Sequence, residues 1–143
     1  MKKIVVKRAD GGVSIIHPTN EATPELLERD ALATAGYVSH REIDDSQLPA
    51  DRVFRDAWTD DYPTDTVDVN IKKAQAIKYD TFRVLRTPLL SAADIEYLRA
   101  LEAGDTKTQL AVAAKKKALR DITKIELPDD VDALAAFMPK ELR

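Results

Sequence analysis

The chain has 143 residues, no cysteine and a formal net charge of −3, with one third of its residues charged. That length supports a core without covalent staples, and the absence of cysteine excludes disulfides, thiolate metal sites and a cysteine nucleophile. Near-neutrality conceals opposed segments: residues 1–69 hold eight Lys/Arg against fourteen Asp/Glu, residues 70–124 twelve against six, and residues 125–143 two against five. Net charges of −6, +6 and −3 follow, and the first two are expected to attract each other or a partner copy.

The opening Met1-Lys2-Lys3-Ile4-Val5-Val6-Lys7-Arg8 has an apolar run of three residues, far shorter than a signal peptide or membrane span requires, so a soluble protein made in the cytoplasm is expected. Ile4–Lys7 and Val13–Ile16 flank Asp10-Gly11-Gly12, whose glycines permit the positive φ of a tight turn, and a β-hairpin is predicted. Thr23-Pro24-Glu25 supplies a capping hydroxyl, a first-turn proline and an acid at the positive end of a helix dipole, and Gly36 supplies a stop. A three-turn helix is expected between them, with Leu26, Leu27, Leu32 and Ala33 as its apolar side. Tyr37–Ile43 reads as a third strand, with Tyr37, Ser39 and Arg41 on one face and Val38, His40 and Glu42 on the other. The order β-β-α-β predicts a small sheet with one helix on it.

Residues 44–69, dense in Asp and containing Pro49 and Pro63, read as a connecting loop. Phe54 and Trp58 stand within it and need somewhere to be buried, either in the core at the junction of sheet and helices or in a partner as an anchor.

Beyond Asn70 the helical period takes over. Ile71, Ala74, Ile77 and Val84 form one row, Phe82, Leu85 and Leu89 an adjoining one, and Ile95, Leu98 and Leu101 carry the pattern to Gly104. Pro88, followed by the cap-like Ser91-Ala92-Ala93-Asp94, predicts a kink or restart. Thr106-Lys107-Thr108-Gln109, with Asp105 beside it, reads as a capping box for a helix over about 107–123, so an antiparallel helical hairpin is expected. Pro128-Asp129-Asp130 starts a short helix to about Phe137. The fold class is therefore α+β: a β-β-α-β domain with an aromatic connector over 1–62, a helical hairpin over 63–124, and a tail with a short helix over 125–143.

Candidate chemistry is sparse. His17 and His40, the only histidines, lie at a strand end and in a half-polar strand, and a structural role is expected for both. Asp60, Asp61, Asp65 and Asp68 lack the central glycine and terminal glutamate of an EF-hand loop. Ser14 has no nucleophile-elbow glycines, and Asp10-Gly11-Gly12 is neither a Walker loop nor a dinucleotide fingerprint. No catalytic residue, metal or cofactor is assigned, and no enzyme is expected. Lys115, Lys116, Lys117, Arg120 and Lys124 cluster positive charge, yet no aromatic residue stands among them for base stacking, so nucleic acid is not an expected partner. Partner contacts are expected instead from Phe54, Trp58, Ile71, Ile77, Val84, Lys115, Lys116 and Arg120.

The stretch from Leu48-Pro49-Ala50-Asp51-Arg52-Val53 through Phe54-Arg55-Asp56-Ala57-Trp58 is followed by Arg86-Thr87-Pro88-Leu89-Leu90, Asp94 and Tyr97–Asp105, then Lys117-Ala118-Leu119-Arg120-Asp121-Ile122-Thr123. Together they resemble small proteins of bacteriophage tail modules, and the hairpin layout is similar to that of tail assembly chaperones and tail-fibre assembly proteins. The resemblance spans roughly residues 1–124 and transfers no active site; Ile125–Arg143 matches no motif. It implies a minor tail component or tail-fibre assembly factor, acting by protein contacts with other tail or fibre proteins or with further copies of itself, in the host cytoplasm during assembly or in the virion tail. A phage-encoded inhibitor or regulator of a host protein is the alternative, and an orphan enzyme the third class.

Overall fold

The computed structural model describes residues 2–61 and 65–143; the loop assignment of Pro63 lies outside the described residues. The architecture is α+β. In chain order the elements are β1 (Lys3–Arg8), β2 (Val13–Ile16), α1 (Pro24–Leu32), β3 (Tyr37–Ile43), β4 (Trp58–Thr59), β5 (Asp68–Val69), α2 (Ile71–Glu102), α3 (Thr106–Asp121) and α4 (Val131–Ala136). They fall into two compact units, Met1–Ala74 and Gln75–Arg143, so the division lies four residues into α2 and the tail joins the hairpin in one unit.

In the first unit β1 is the central strand of an antiparallel sheet ordered β2-β1-β3. The turn between β1 and β2 is built by Arg8, whose carbonyl accepts from the Gly11 amide at 3.1 Å and whose amide donates to the Gly12 carbonyl at 2.9 Å, with Gly11 at φ 83°. This is a tight turn closed by a glycine bulge. Alternation along β1 gives the sheet two apolar faces. Val5 packs with Ile43, Trp58 and Val67, whereas Ile4 and Val6 pack with Ala31 of α1.

Two sequence expectations fail here. In α1 it is Ala31 that is buried and Leu27 that is half-buried, while Leu26 is 39% and Leu32 53% exposed and Ala33 is exposed too. A nine-residue helix meets the sheet along one narrow stripe, and the small Ala31 allows the close approach. In β3 the register slips where Lys7 pairs with Ser39 but Arg8 pairs with Tyr37, leaving Val38 as the extra residue. That bulge turns Tyr37 to the face opposite Ser39 and Arg41, where its hydroxyl meets His40 Nδ1 at 2.8 Å.

The connector is not merely loop. Asp45–Gln47 and Arg55–Ala57 form single 3-10 turns, and β4 and β5 pair antiparallel, Trp58 with Val69 and Thr59 with Asp68. Phe54 and Trp58 are each 3% exposed, and Trp58 belongs to the core under the sheet face of Val5. Arg41 of β3 clamps this layer through Nε and Nη2 to Asp60, the shortest contact being 2.7 Å.

In the second unit α2 runs through Pro88 as one helix, so of the kink or restart expected there the restart is absent. It ends at Glu102, with Gly104 at φ 65°, and α3 opens on Asp105 rather than Thr106, the Asp105 carboxylate accepting from the Thr108 amide at 3.1 Å. The two helices are antiparallel: Glu96 pairs with Lys115 at 3.7 Å, Asp94 with Lys116 at 2.5 Å, and Arg86 Nη1 donates to the Arg120 carbonyl at 2.9 Å. The tail returns along α2. There Gln75 donates to the Pro128 carbonyl at 3.1 Å, Lys78 to that of Ala135 at 3.0 Å, and Tyr79 to that of Ile125 at 2.5 Å.

Candidate protein-contact face

The face most distinctive in this structure is the outer side of α2. Its buried residues in the second unit are Lys78, Phe82, Ala93 and Ala100. A residue two positions away lies about 200° round the helix, on the opposite side. Val84, Ile95 and Leu98 hold such positions relative to Phe82, Ala93 and Ala100, and they are 72%, 53% and 56% exposed. Ile77, Thr81, Val84, Pro88, Ser91, Ile95 and Leu98 succeed one another in alternating steps of four and three residues, the spacing that keeps a row in line for a second helix. Leu101, near the C-terminus of α2, and Leu110 of α3 add further exposed apolar surface at that end of the hairpin.

The periodicity is real, but one apolar row points away from the core. The inner side carries the small Ala93 and Ala100, and Gln109 Nε2 of α3 donates to the Ala100 carbonyl at 3.4 Å. Leu85 and Leu89 form the margin, 41% and 38% exposed. Leu89 also lines a hollow of about 180 Å³ with Lys115, Ala118, Leu119 and Glu141.

Of the other residues expected to contact partners, Phe54 and Trp58 are each buried and offer no surface, Trp58 packing with Val5, Ile43 and Val67. Ile71 and Ile77 are half-buried; Lys115 and Arg120 are exposed. The basic run is largely neutralised in place. Lys115 pairs with Glu96, Lys116 with Asp94 while lying 5.6 Å from the Tyr97 ring centre, and Lys117 and Lys124 both with Asp121, at 2.7 and 3.2 Å. The carboxyl of Asp121 is held below the usual range by hydrogen bonds first from Lys117, then Lys124.

The expected charge segregation shrinks for the same reason. Counted by compact unit, residues 1–74 carry ten Lys/Arg against fourteen Asp/Glu and residues 75–143 twelve against eleven. The acidic tail folds with the hairpin, and Lys72 and Lys73 fall in the first unit, so net charges of −4 and +1 replace −6 and +6.

The remaining sequence candidates are scattered. His17 follows β2 and His40 lies in β3, the two edge strands on either side of β1. The Asp60 carboxylate is engaged by Arg41, Asp61 lies 3.9 Å from Lys7, and Asp68 accepts from the Thr66 hydroxyl. Among the described residues no group of His, Asp and Glu could hold a metal ion, and no helix is long and apolar enough to cross a membrane. No protein-family profile matches the chain, nor does any curated protein or solved structure.

Proposed function

We propose that this chain acts by protein–protein contact, as a phage tail-associated structural or assembly protein whose outer α2 face docks on another tail or fibre protein. The observation that supports this reading is the line of Val84, Ile95 and Leu98, each more than half exposed on a continuous helix and backed by a fixed inner face. Such a row buries apolar area against a second helix or groove, with each side chain worth about 1.5–3 kcal/mol when fully covered. The tail-module assignment itself comes from the sequence resemblance.

With the basic run paired internally, docking is carried by apolar area more than by charge. It should therefore survive the fall in Debye length from about 10 Å at 0.1 M salt to about 3 Å at 1 M. The test is co-sedimentation with purified tail and fibre proteins at both ionic strengths, for the wild type and for Val84→Lys, Ile95→Lys and Leu98→Lys. These exposed positions tolerate charge without unfolding. Loss of the complex in the variants, with circular dichroism unchanged, supports the reading. A complex indifferent to all three, or none with any tail protein, overturns it, and self-association lost in the same variants would identify a second copy as the occupant.

A further inference from the structure

The first unit carries a separate opening along the free edge of its sheet. Because Arg8 and Gly12 close the turn with a backbone bond, the pairs Val6–Ser14 and Ile4–Ile16 are the hydrogen-bonded ones in the β1–β2 register. Val13 and Ile15 therefore direct their amides and carbonyls away from β1. The Val13 carbonyl is taken by Arg8 Nη1 at 3.2 Å, while Ile15 has neither an amide nor a carbonyl partner on that side among the described residues. Unpaired edge groups of this kind are a template for another strand.

Beside this edge is a cavity of about 230 Å³ lined by Arg8, Val13, Ser14, Ile15, Arg55 and Asp56. Arg8 is fixed in it. Its guanidinium bonds Asp10 at 3.2 Å, the Val13 carbonyl and the Ser14 hydroxyl at 3.0 Å, and it occupies the space where any Cβ at Gly12 would stand. Arg55 is exposed and has no ion pair among the described residues, nor has the neighbouring Arg52. The acids nearby are Asp10, committed to Arg8 and to the Gly12 amide at 2.8 Å, Asp45, paired with Lys3, and Asp56. The pKa of His17, just past β2, is lowered first by desolvation and then by Lys3 and Arg52, with Arg55 adding to them and Asp45 opposing. Within a unit of net charge −4, this edge is locally basic.

We infer that the β2 edge binds an extended acidic peptide segment of a partner protein by strand addition, its backbone pairing with Ile15 and a carboxylate side chain received by Arg55 and Arg8. The backbone bonds supply affinity for any extended chain, and the guanidinium groups select for acid. This surface is distinct from the outer α2 face and does not depend on the reading of that face.

The test uses isotope-labelled full-length protein and two sets of short peptides of alternating Val and Thr, one with a single Glu moved through every position and the other with Lys instead. Shifts of the Val13 and Ile15 amide resonances are expected with the Glu set at peptide concentrations at least about ten-fold lower than with the Lys set. Arg55→Glu should weaken binding by about ten-fold or more through loss of a charge-assisted contact, and Arg55→Lys should restore part of it. Equal response to both sets, shifts confined to other residues, or no movement of the Ile15 amide with any Glu peptide overturns the inference.

Discussion

Lys78 Nζ donates to the Ala135 carbonyl at 3.0 Å, and through that bond a buried side chain of α2 closes the C-terminal end of α4. An ammonium at a helix C-terminus opposes the negative end of the dipole and satisfies a carbonyl that the helix itself leaves open. Lys78 is only 7% exposed, lies 5.9 Å from the Phe82 ring centre, and has no carboxylate partner among the described residues. Gln75 and Tyr79 make equivalent bonds to Pro128 and Ile125, so side chains of α2 reach the tail's backbone while the tail's own Leu127 and Leu134 are buried.

Burial lowers the pKa of Lys78 from the ordinary lysine value of 10.5. The unfolded chain then holds more protons than the folded one in the alkaline range below 10.5, so stability rises with pH there and the gain is lost as pH falls through the folded value. Thermal melts between neutral and alkaline pH should show this rise in the wild type and a smaller one in Lys78→Met. At neutral pH Lys78→Met should change stability by less than about 1.5 kcal/mol, whereas Lys78→Ala should cost about 2 kcal/mol or more through lost packing. Identical pH profiles for wild type and Lys78→Met would refute the assignment.

Trp58 is buried with its indole Nε1 lacking any hydrogen-bond partner among the described residues. Replacing an unsatisfied donor by an apolar ring removes a desolvation cost of about 1–3 kcal/mol, which offsets much of the lost volume. Trp58→Phe should therefore lie within about 1.5 kcal/mol of wild type in urea unfolding, while Trp58→Ala should cost about 3–5 kcal/mol. Equal losses in the two variants would mean that the indole N–H is contributing a bond.

Gly104 adopts φ 65°, and a Cβ added there would meet nothing within 4 Å. The penalty for substitution is thus backbone strain without a clash. Gly104→Ala should cost about 1 kcal/mol, and Gly104→Asn, which tolerates the left-handed region, distinctly less. Denaturant midpoints with unchanged slopes are the measurement, and an Ala variant as stable as wild type would count against a strained turn.

Pro88 is exposed in the interior of α2, where it can give no amide to the Val84 carbonyl. Proline at an interior helix position is disfavoured by about 3 kcal/mol relative to alanine. Pro88→Ala should raise the melting temperature. A fall would mean that the local geometry imposed by proline is needed by the hairpin.

What depends on neighbours along the chain was legible in the sequence. The glycine turn after Arg8, the Thr23-Pro24 cap, the Gly104 stop and the Asp130 cap are set by backbone chemistry within a few residues, and each element begins or ends within a residue or two of where that chemistry places it. Pro88 marks the limit of such reasoning, since packing along a 32-residue helix overrode a local preference. Which side of α2 faces inward followed from packing, because several of its rows are apolar and the buried one runs through Lys78, Phe82, Ala93 and Ala100. Packing also set the Val38 bulge, which depends on register with β1, and the pairing of Lys115 and Lys116 with Glu96 and Asp94, acids that the linear charge count had placed in the same basic segment. Contacts between residues distant in sequence carry no local signature, so the outer row of Val84, Ile95 and Leu98 was legible as apolar, while its exposure followed from what the rest of the chain covers.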